Sequence, residues 1–401
     1  MNMKALLLEH IHRSAVSALE NGTMRVVSVK GSLGEDELIS ALDSVSVLGI
    51  RSRTQVSRRV LENARDLMAI GAYCIGTNQI DLEAASLRGV AVFNAPYSNT
   101  RSVAELVIAE IVFLIRHLYD KVVRAHQGAW DKSMENAREV RGKKLGIIGF
   151  GNIGSQISTL AEAMGMDVYY HDVVDKLSIG NATRVSSLRD LLKIADVLTI
   201  HVDGNPANTN LIDEEEFQVM KDGVILLNLS RGHVVNIDAL ARNLKRGKVA
   251  GAAVDVFPNE PKDSREQFAS PLQNLPNVLL TPHIGGSTEE AQENIAEFVT
   301  NKLLDYLSTG NTFTSVNFPK INIPKSDDPQ LHRLLHVHQN VPGVLSQING
   351  IFAKNNVNVL SQYLRTNELI GYVIADVDRE YKDSLFDDLQ KVSHTIRVRI
   401  L

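Results

Sequence analysis

The run Leu145-Gly146-Ile147-Ile148-Gly149-Phe150-Gly151-Asn152-Ile153-Gly154 decides the fold. Its first four residues form an apolar strand, and the apolar positions Ile157, Leu160 and Met164 beyond it have the period of a helix. A GxGxxG string alone means little in a chain with 26 glycines. Between a strand and a helix it reads as a dinucleotide fingerprint. The first glycine makes the turn, the second lets the backbone approach a pyrophosphate, and the third lets helix and strand pack closely. The helix start then offers free N–H groups and a positive dipole end to the phosphates. Gly149, Gly151, Asn152, Ile153 and Gly154 are therefore cofactor-binding candidates. Asp172 ends the next apolar run, with Val173 and Val174 after it and no cation alongside. An acid there accepts hydrogen bonds from ribose hydroxyls and repels the 2′-phosphate of NADP, so the expected cofactor is NAD.

On either side of this run, short apolar segments alternate with helical patterns. Val45–Gly49, Leu67–Ile70, Val90–Phe93, Val168–His171, Val197–His201, Val224–Asn228, Gly251–Val254 and Val278–Thr281 read as strands. Most lack a period of two, as expected where helices cover both faces of a parallel sheet. Apolar positions between Thr100 and His117 mark one face of a long helix, with Ser102 and Glu105 at the spacing of a capping box. After Thr312 the texture changes. Pro319, Pro324 and Pro329 fall within a stretch that reads as an extended linker, followed by a module of βαββαβ order, a ferredoxin-like sandwich.

Composition narrows the function. Lys and Arg number 42 against 47 Asp and Glu, for a net charge of −5, so neither nucleic acid nor an anionic membrane is an expected partner. The single cysteine, Cys74, excludes a disulfide within the chain. Charged residues interrupt the longest apolar candidate for a membrane span, and the expected location is the cytoplasm.

Oxidation of a secondary alcohol needs a base for the hydroxyl proton, a group that holds the base, and a cation for the substrate's carboxylate. Three segments supply these types: Asn228-Leu229-Ser230-Arg231-Gly232, Asp255-Val256-Phe257-Pro258-Asn259-Glu260-Pro261 and Leu280-Thr281-Pro282-His283-Ile284-Gly285-Gly286. A single Arg, Glu or His in a loop is usually solvated or structural. Arg231, Glu260 and His283, however, each follow a strand, at the sheet end where open α/β folds bind ligands.

These segments resemble the signatures of the D-isomer-specific 2-hydroxyacid dehydrogenases, from the first strand to about Val316. The resemblance implies His283 as general acid/base, Glu260 as its partner and Arg231 as the carboxylate clamp. It also implies Leu229, Ser230, Arg231, Asp255, His283, Gly285 and Gly286 beside the cofactor. Leu229 and His233 are bulkier than the family usually places there. The division it implies is a flavodoxin-like substrate-binding domain over 1–98 and 286–316, a Rossmann-like NAD-binding domain over 99–285, a linker over 317–329 and a regulatory module over 330–401.

Gly49-Ile50-Arg51-Ser52-Arg53-Thr54, Gly76-Thr77-Asn78 and Phe93–Ser102 are similar to the family members that oxidise 3-phospho-D-glycerate. Arg51, Ser52 and Arg53 would then hold the phosphate, with Asn99 and Gln292 as further substrate contacts. The last module resembles an ACT domain, an amino-acid-binding regulator. That likeness implies L-serine as effector at His338, Asn340 and Asn358, and a homotetramer. Gln339 replaces an acid often found in this position. His332, His336 and His338 share one strand parity, but no Cys or carboxylate stands at ligand spacing, so no metal is expected. The resemblance leaves 2-oxoglutarate reduction open as a side activity. The competing readings are another D-2-hydroxyacid dehydrogenase, of D-lactate or hydroxypyruvate type, and a dinucleotide-sensing scaffold without activity.

Overall fold

In the computed structural model, which describes residues 3–261, 266–325, 328, 331–378 and 384–401, the chain divides into two units, Met1–Ser98 with Gln292–Leu401, and Asn99–Ala291. The first unit begins with β1 (Lys4–Leu7), α1 (Arg13–Asn21), β2 (Arg25–Ser28), α2 (Glu35–Ala41), β3 (Val47–Ile50), α3 (Arg58–Asn63), β4 (Ala69–Ala72), α4 (Leu82–Leu87) and β5 (Ala91–Asn94). The strands are all parallel in the order β2-β1-β3-β4-β5, the flavodoxin-like arrangement. Strands β1, β3, β4 and β5 are almost wholly buried because both faces are covered. Leu38, Val60, Leu61 and Ala84 pack one face, and Ala15, Leu19, Val299 and Leu303 pack the other.

The second unit holds α5 (Thr100–Ile115), α6 (Leu118–His126), β6 (Lys144–Ile148), α7 (Asn152–Ala163), β7 (Asp167–His171), β8 (Thr183–Arg184), α8 (Leu188–Ile194), β9 (Val197–Ile200), α9 (Glu214–Val219), β10 (Val224–Asn228), α10 (Ile237–Lys245), β11 (Val249–Val254) and β12 (Val278–Leu280). Its seven parallel strands run β12-β11-β10-β9-β6-β7-β8. Chain order reverses between β6 and β9, the position at which such sheets open a ligand crevice. Helices α5 and α7 cover one face through Val103, Val107, Ile157 and Ala161, while Leu191, Phe217 and Leu240 cover the other.

Helix α11 (Glu289–Thr309) leads back to the first unit, where β13 (Leu331–Gln339), α12 (Val344–Lys354), β14 (Val359–Thr366), β15 (Ile370–Asp378), α13 (Ser384–Gln390) and β16 (Thr395–Ile400) form the module of βαββαβ order. Its sheet is antiparallel, in the order β14-β15-β13-β16.

Ser102 does not cap α5, contrary to the sequence expectation. The helix starts three residues earlier, with Asn99 at the cap position, and the Ser102 hydroxyl lies 2.7 Å from that of Thr288. Glu105 instead accepts a hydrogen bond from Arg101. The proline-bearing stretch has neither helix nor strand through Lys325, yet it is tightly packed. Phe318, Ile321 and Ile323 are buried in one core with Leu335, Val337, Tyr372 and Ile374 of the C-terminal module. Ser326, Asp327 and Pro329 of that stretch, Gln330, and Tyr381 at the expected start of the last helix lie outside the described residues.

Candidate active site

Two glycines of the loop are required by its own geometry, and the third faces open space. Gly149 is left-handed (φ 92°), and a Cβ there would lie 2.6 Å from the carbonyl oxygen of His201. A Cβ on Gly154 would collide with the Gly149 carbonyl, whereas one on Gly151 would meet only open space. Gly151 is the N-cap of α7 and brings no capping side chain, so the amides of Asn152, Ile153 and Gly154 open the helix beside that space. Asp172 sits under the loop. Its carboxylate accepts the N–H of Phe150 and that of Val174, both at 2.8 Å. His201, at the end of β9, shares a hydrogen bond with Thr199, and burial drives its pKa down to about 3, so it adds no charge. An open, uncapped helix start, a glycine facing open space and a strand-end carboxylate fit the pyrophosphate and ribose of a dinucleotide.

Arg231, Glu260 and His283 come together at the ends of β10, β11 and β12. Asn228 fastens the first loop, accepting from the Ser230 hydroxyl (2.8 Å) and donating to the Arg231 carbonyl (3.1 Å). Gly232 lies so close to the Phe257 carbonyl that no side chain fits, which draws Arg231 against the segment leading to Glu260. Glu260 accepts the Phe257 N–H through one oxygen (3.0 Å) and faces Nδ1 of His283 with the other (2.8 Å). The hydrogen bond to Glu260 raises the His283 pKa above 6.5 against the opposing effect of burial; Asp255 adds to the rise and Arg231 opposes it. For Glu260, burial works upward, but the His283 hydrogen bond, the Phe257 N–H and the charges of His283 and Arg231 outweigh it and lower the pKa.

For Asp255 the family resemblance implies only a place beside the cofactor. The fold gives this buried carboxylate three donors from the His283 loop: the Thr281 hydroxyl (2.6 Å) and the N–H groups of Ile284 (2.8 Å) and Gly285 (2.9 Å). Those bonds hold His283 in a left-handed conformation (φ 55°). A strand-end Asp followed by Thr281 and two glycines carried that signal, but only the fold brings the parts together. Gly286 packs against Asn99, whose amide oxygen is buried without a partner among the described residues. Leu229 is buried in the core of its unit, and the His233 Nε2 is buried with no partner among the described residues.

In the first unit, Ser52 and Arg53 are exposed and Arg51 half-buried on the turn after β3. Gln292 falls within α11. In the C-terminal module His338 is buried, with Nδ1 3.3 Å from that of His336, while Asn340 and Asn358 are exposed. The register sets these residues apart within one chain. His338 pairs with Gly371 and Asn340 follows at that end of the sheet, whereas Asn358 precedes Val359, which pairs with Val377 at the opposite end. Among the described residues no three metal-binding side chains cluster.

The D-isomer specific 2-hydroxyacid dehydrogenase NAD-binding domain matches residues 108–285. The chain is 48% identical over all of its length, and 97% of the relative's, to "D-3-phosphoglycerate dehydrogenase" of Haemophilus influenzae. It is 46% identical, with the same two coverages, to the protein of that name from Escherichia coli strain K12. The chain belongs to the D-isomer-specific 2-hydroxyacid dehydrogenases. As a member of that family it is an NAD-dependent oxidoreductase of α/β fold. A family structure, the D-lactate dehydrogenase of Aquifex aeolicus complexed with NAD and lactic acid, is similar over 79% of this chain and 100% of its own, at 27% identity and a TM-score of 0.68. To this family core the chain adds a C-terminal domain matched over 334–397 by the ACT domain of AHAS small subunit-like proteins. No helix among the described residues is long and apolar enough to cross a membrane.

Proposed function

We propose that the chain catalyses 3-phospho-D-glycerate + NAD+ = 3-phosphohydroxypyruvate + NADH + H+, the entry step of L-serine formation, in the cytoplasm, under feedback by L-serine. The chemistry rests on one observation, the 2.8 Å contact of His283 Nδ1 with Glu260 alongside Arg231. Neutral His283 takes the C2 hydroxyl proton through Nε2, and Glu260 stabilises the imidazolium that results. Arg231 clamps the substrate carboxylate, for which a planar guanidinium is suited. NAD, when bound, supplies the hydride acceptor, with Asp172 on its ribose and the start of α7 on its pyrophosphate. Arg51, Ser52 and Arg53 take the phosphate, with Asn99 and Gln292 as further contacts. The phosphorylated substrate is supported by those cations and by the names of the full-length relatives.

Serine is assigned to His338 and Asn340 from one copy with Asn358 from another, a pairing favoured by their places at opposite ends of the sheet. Homotetramer formation is supported by two separate exposed apolar surfaces. One carries Tyr119, Val122, Trp130 (84% exposed) and Met134 (87%) on α6 and the loop after it; the other carries Leu360 and Tyr363 on edge strand β14. A dimer of dimers needs two interfaces, and exposed apolar surfaces are where they form.

NADH formation measured with 3-phospho-D-glycerate, D-lactate, D-glycerate and 2-hydroxyglutarate, with and without L-serine, tests this reading. A preference for the phosphorylated acid, suppressed by serine, is expected. Preferential turnover of D-lactate or D-glycerate would replace it with the alternative family activity. No turnover of any of the acids would favour the dinucleotide-sensing scaffold.

A further inference from the structure

Strand β1 ends in an unusual way. Glu9 and His10, neither a glycine, both adopt the left-handed conformation (φ 61° and 53°) one residue beyond the strand. Two such residues in succession persist only where the surroundings fix them. They turn the Glu9 side chain inward, leaving it buried, and carry it beneath the turn that follows β3. There one carboxylate oxygen accepts the N–H of Arg53 (3.0 Å) and the other that of Thr54 (2.8 Å). The same turn is fixed from its other side by the buried Gln79, whose side-chain amide donates to the Arg51 carbonyl (2.6 Å) and also reaches Cys74 and the Gly76 carbonyl. The backbone of residues 51–54 is thus pinned at both ends by buried side chains, while Ser52 and Arg53 stand in solvent.

We propose that Glu9 is a positioning residue for phosphate recognition, fixing the turn from which Arg51, Ser52 and Arg53 meet the phosphorylated end of the substrate. The proposal rests on the reading of that turn as the phosphate site. The chemistry selects this residue type. Two consecutive N–H donors need two acceptor atoms on one rigid group, and a carboxylate provides them. A glutamine offers one acceptor and turns an NH2 toward the second donor, which leaves a buried N–H unsatisfied. An aspartate keeps both acceptors on a stem shorter by one carbon.

Glu9→Gln, Glu9→Asp and the double variant Arg51→Gln/Arg53→Gln, assayed as full-length enzyme with 3-phospho-D-glycerate and with unphosphorylated D-glycerate, test the assignment. Glu9→Gln should raise KM for 3-phospho-D-glycerate about tenfold or more, as expected for a lost charge-assisted hydrogen bond. Its kcat and its KM for NAD should stay within about twofold, and kcat/KM for D-glycerate should hardly move. Glu9→Asp should recover part of the lost affinity. A role confined to stability would instead depress the melting temperature and act equally on both substrates, and that result overturns the proposal. If the double arginine variant loses discrimination between the two substrates while Glu9→Gln keeps it, Glu9 is not the positioning residue. If the double arginine variant keeps it too, the phosphate site itself lies elsewhere and the assignment of Glu9 falls with it.

Discussion

His283 combines a left-handed backbone with a ring nitrogen 2.8 Å from a carboxylate, a costly arrangement kept in place by the three donors that Asp255 draws from its loop. His283→Ala should lower kcat by about 10²–10⁴-fold with little change in NAD binding; near-normal turnover of the purified variant would remove the acid/base role. The direction of the pKa shift adds a sharper test. Oxidation requires neutral His283, so its rate rises with pH through the histidine's pKa. Glu260 raises that pKa, and Glu260→Gln should therefore move the acidic limb of kcat/KM to lower pH. An unmoved limb would mean that another group titrates. A second buried acid, Glu110 on α5, has no hydrogen-bond partner among the described residues for either oxygen, and burial, with the charge of Asp255, pushes its pKa up to about 8. Its folded value lies above its unfolded one, so its stabilising contribution is complete below the ordinary carboxylate range and is lost as pH rises to about 8. Glu110→Gln should accordingly gain in melting temperature over the parent protein as pH climbs from about 5 to about 8, and the gap should stay constant above that. A gap independent of pH would show that Glu110 is not protonated in the fold.

At the scale of elements, β6, its glycine turn and α7 were legible in the sequence because every part lies within twenty residues, Lys144–Ala163, and the demands on each part are local. Buried strands β3, β4 and β5 were legible for a related reason, since apolar runs covered on both faces leave an unbroken signal. Edge strand β2 carries Arg25-Val26-Val27-Ser28, is largely exposed, and gave no such run; the two-residue β8 is shorter still. Ser102 matched a local rule but found a closer partner in Thr288, 186 positions away. Glu9 and the loop-holding role of Asp255 stayed hidden likewise, because their partners are distant in sequence, and Glu110 because its burial arises only in the fold. The glycine turn makes a split prediction. Gly154→Ala places a methyl against the Gly149 carbonyl and should lower the melting temperature. Gly151→Ala meets nothing in the protein and should fold normally, yet weaken NAD binding about tenfold or more by crowding the pyrophosphate. Melting curves and NAD titrations of both variants decide it; equal losses of stability would show that Gly151 too is structural.

Across the whole molecule, the C-terminal module does not hang from a tether. The buried Arg333 grips Asp376 with two nitrogens (2.7 and 3.0 Å) and donates to the carbonyls of Thr309 and Pro324, and the Tyr372 hydroxyl reaches the Gly310 carbonyl (2.7 Å). Cutting the chain before Leu331 would bare Tyr306, Phe318 and Ile321, so deletion cannot separate regulation from stability. Point variants can. Asn340→Ala and Asn358→Ala change exposed side chains and should each shift serine inhibition to higher concentrations while uninhibited turnover stays close to the parent's. Mixing the two variants asks whether the site is shared. A two-fold junction has two equivalent sites, each with Asn340 from one copy and Asn358 from the other. Where an Asn340→Ala subunit meets an Asn358→Ala subunit, one site carries both changes and the other carries neither. Subunit exchange should therefore restore inhibition at parental serine levels in the fraction of mixed junctions. If each site lay within one chain, every site would still carry one change, and no degree of mixing would bring the response back.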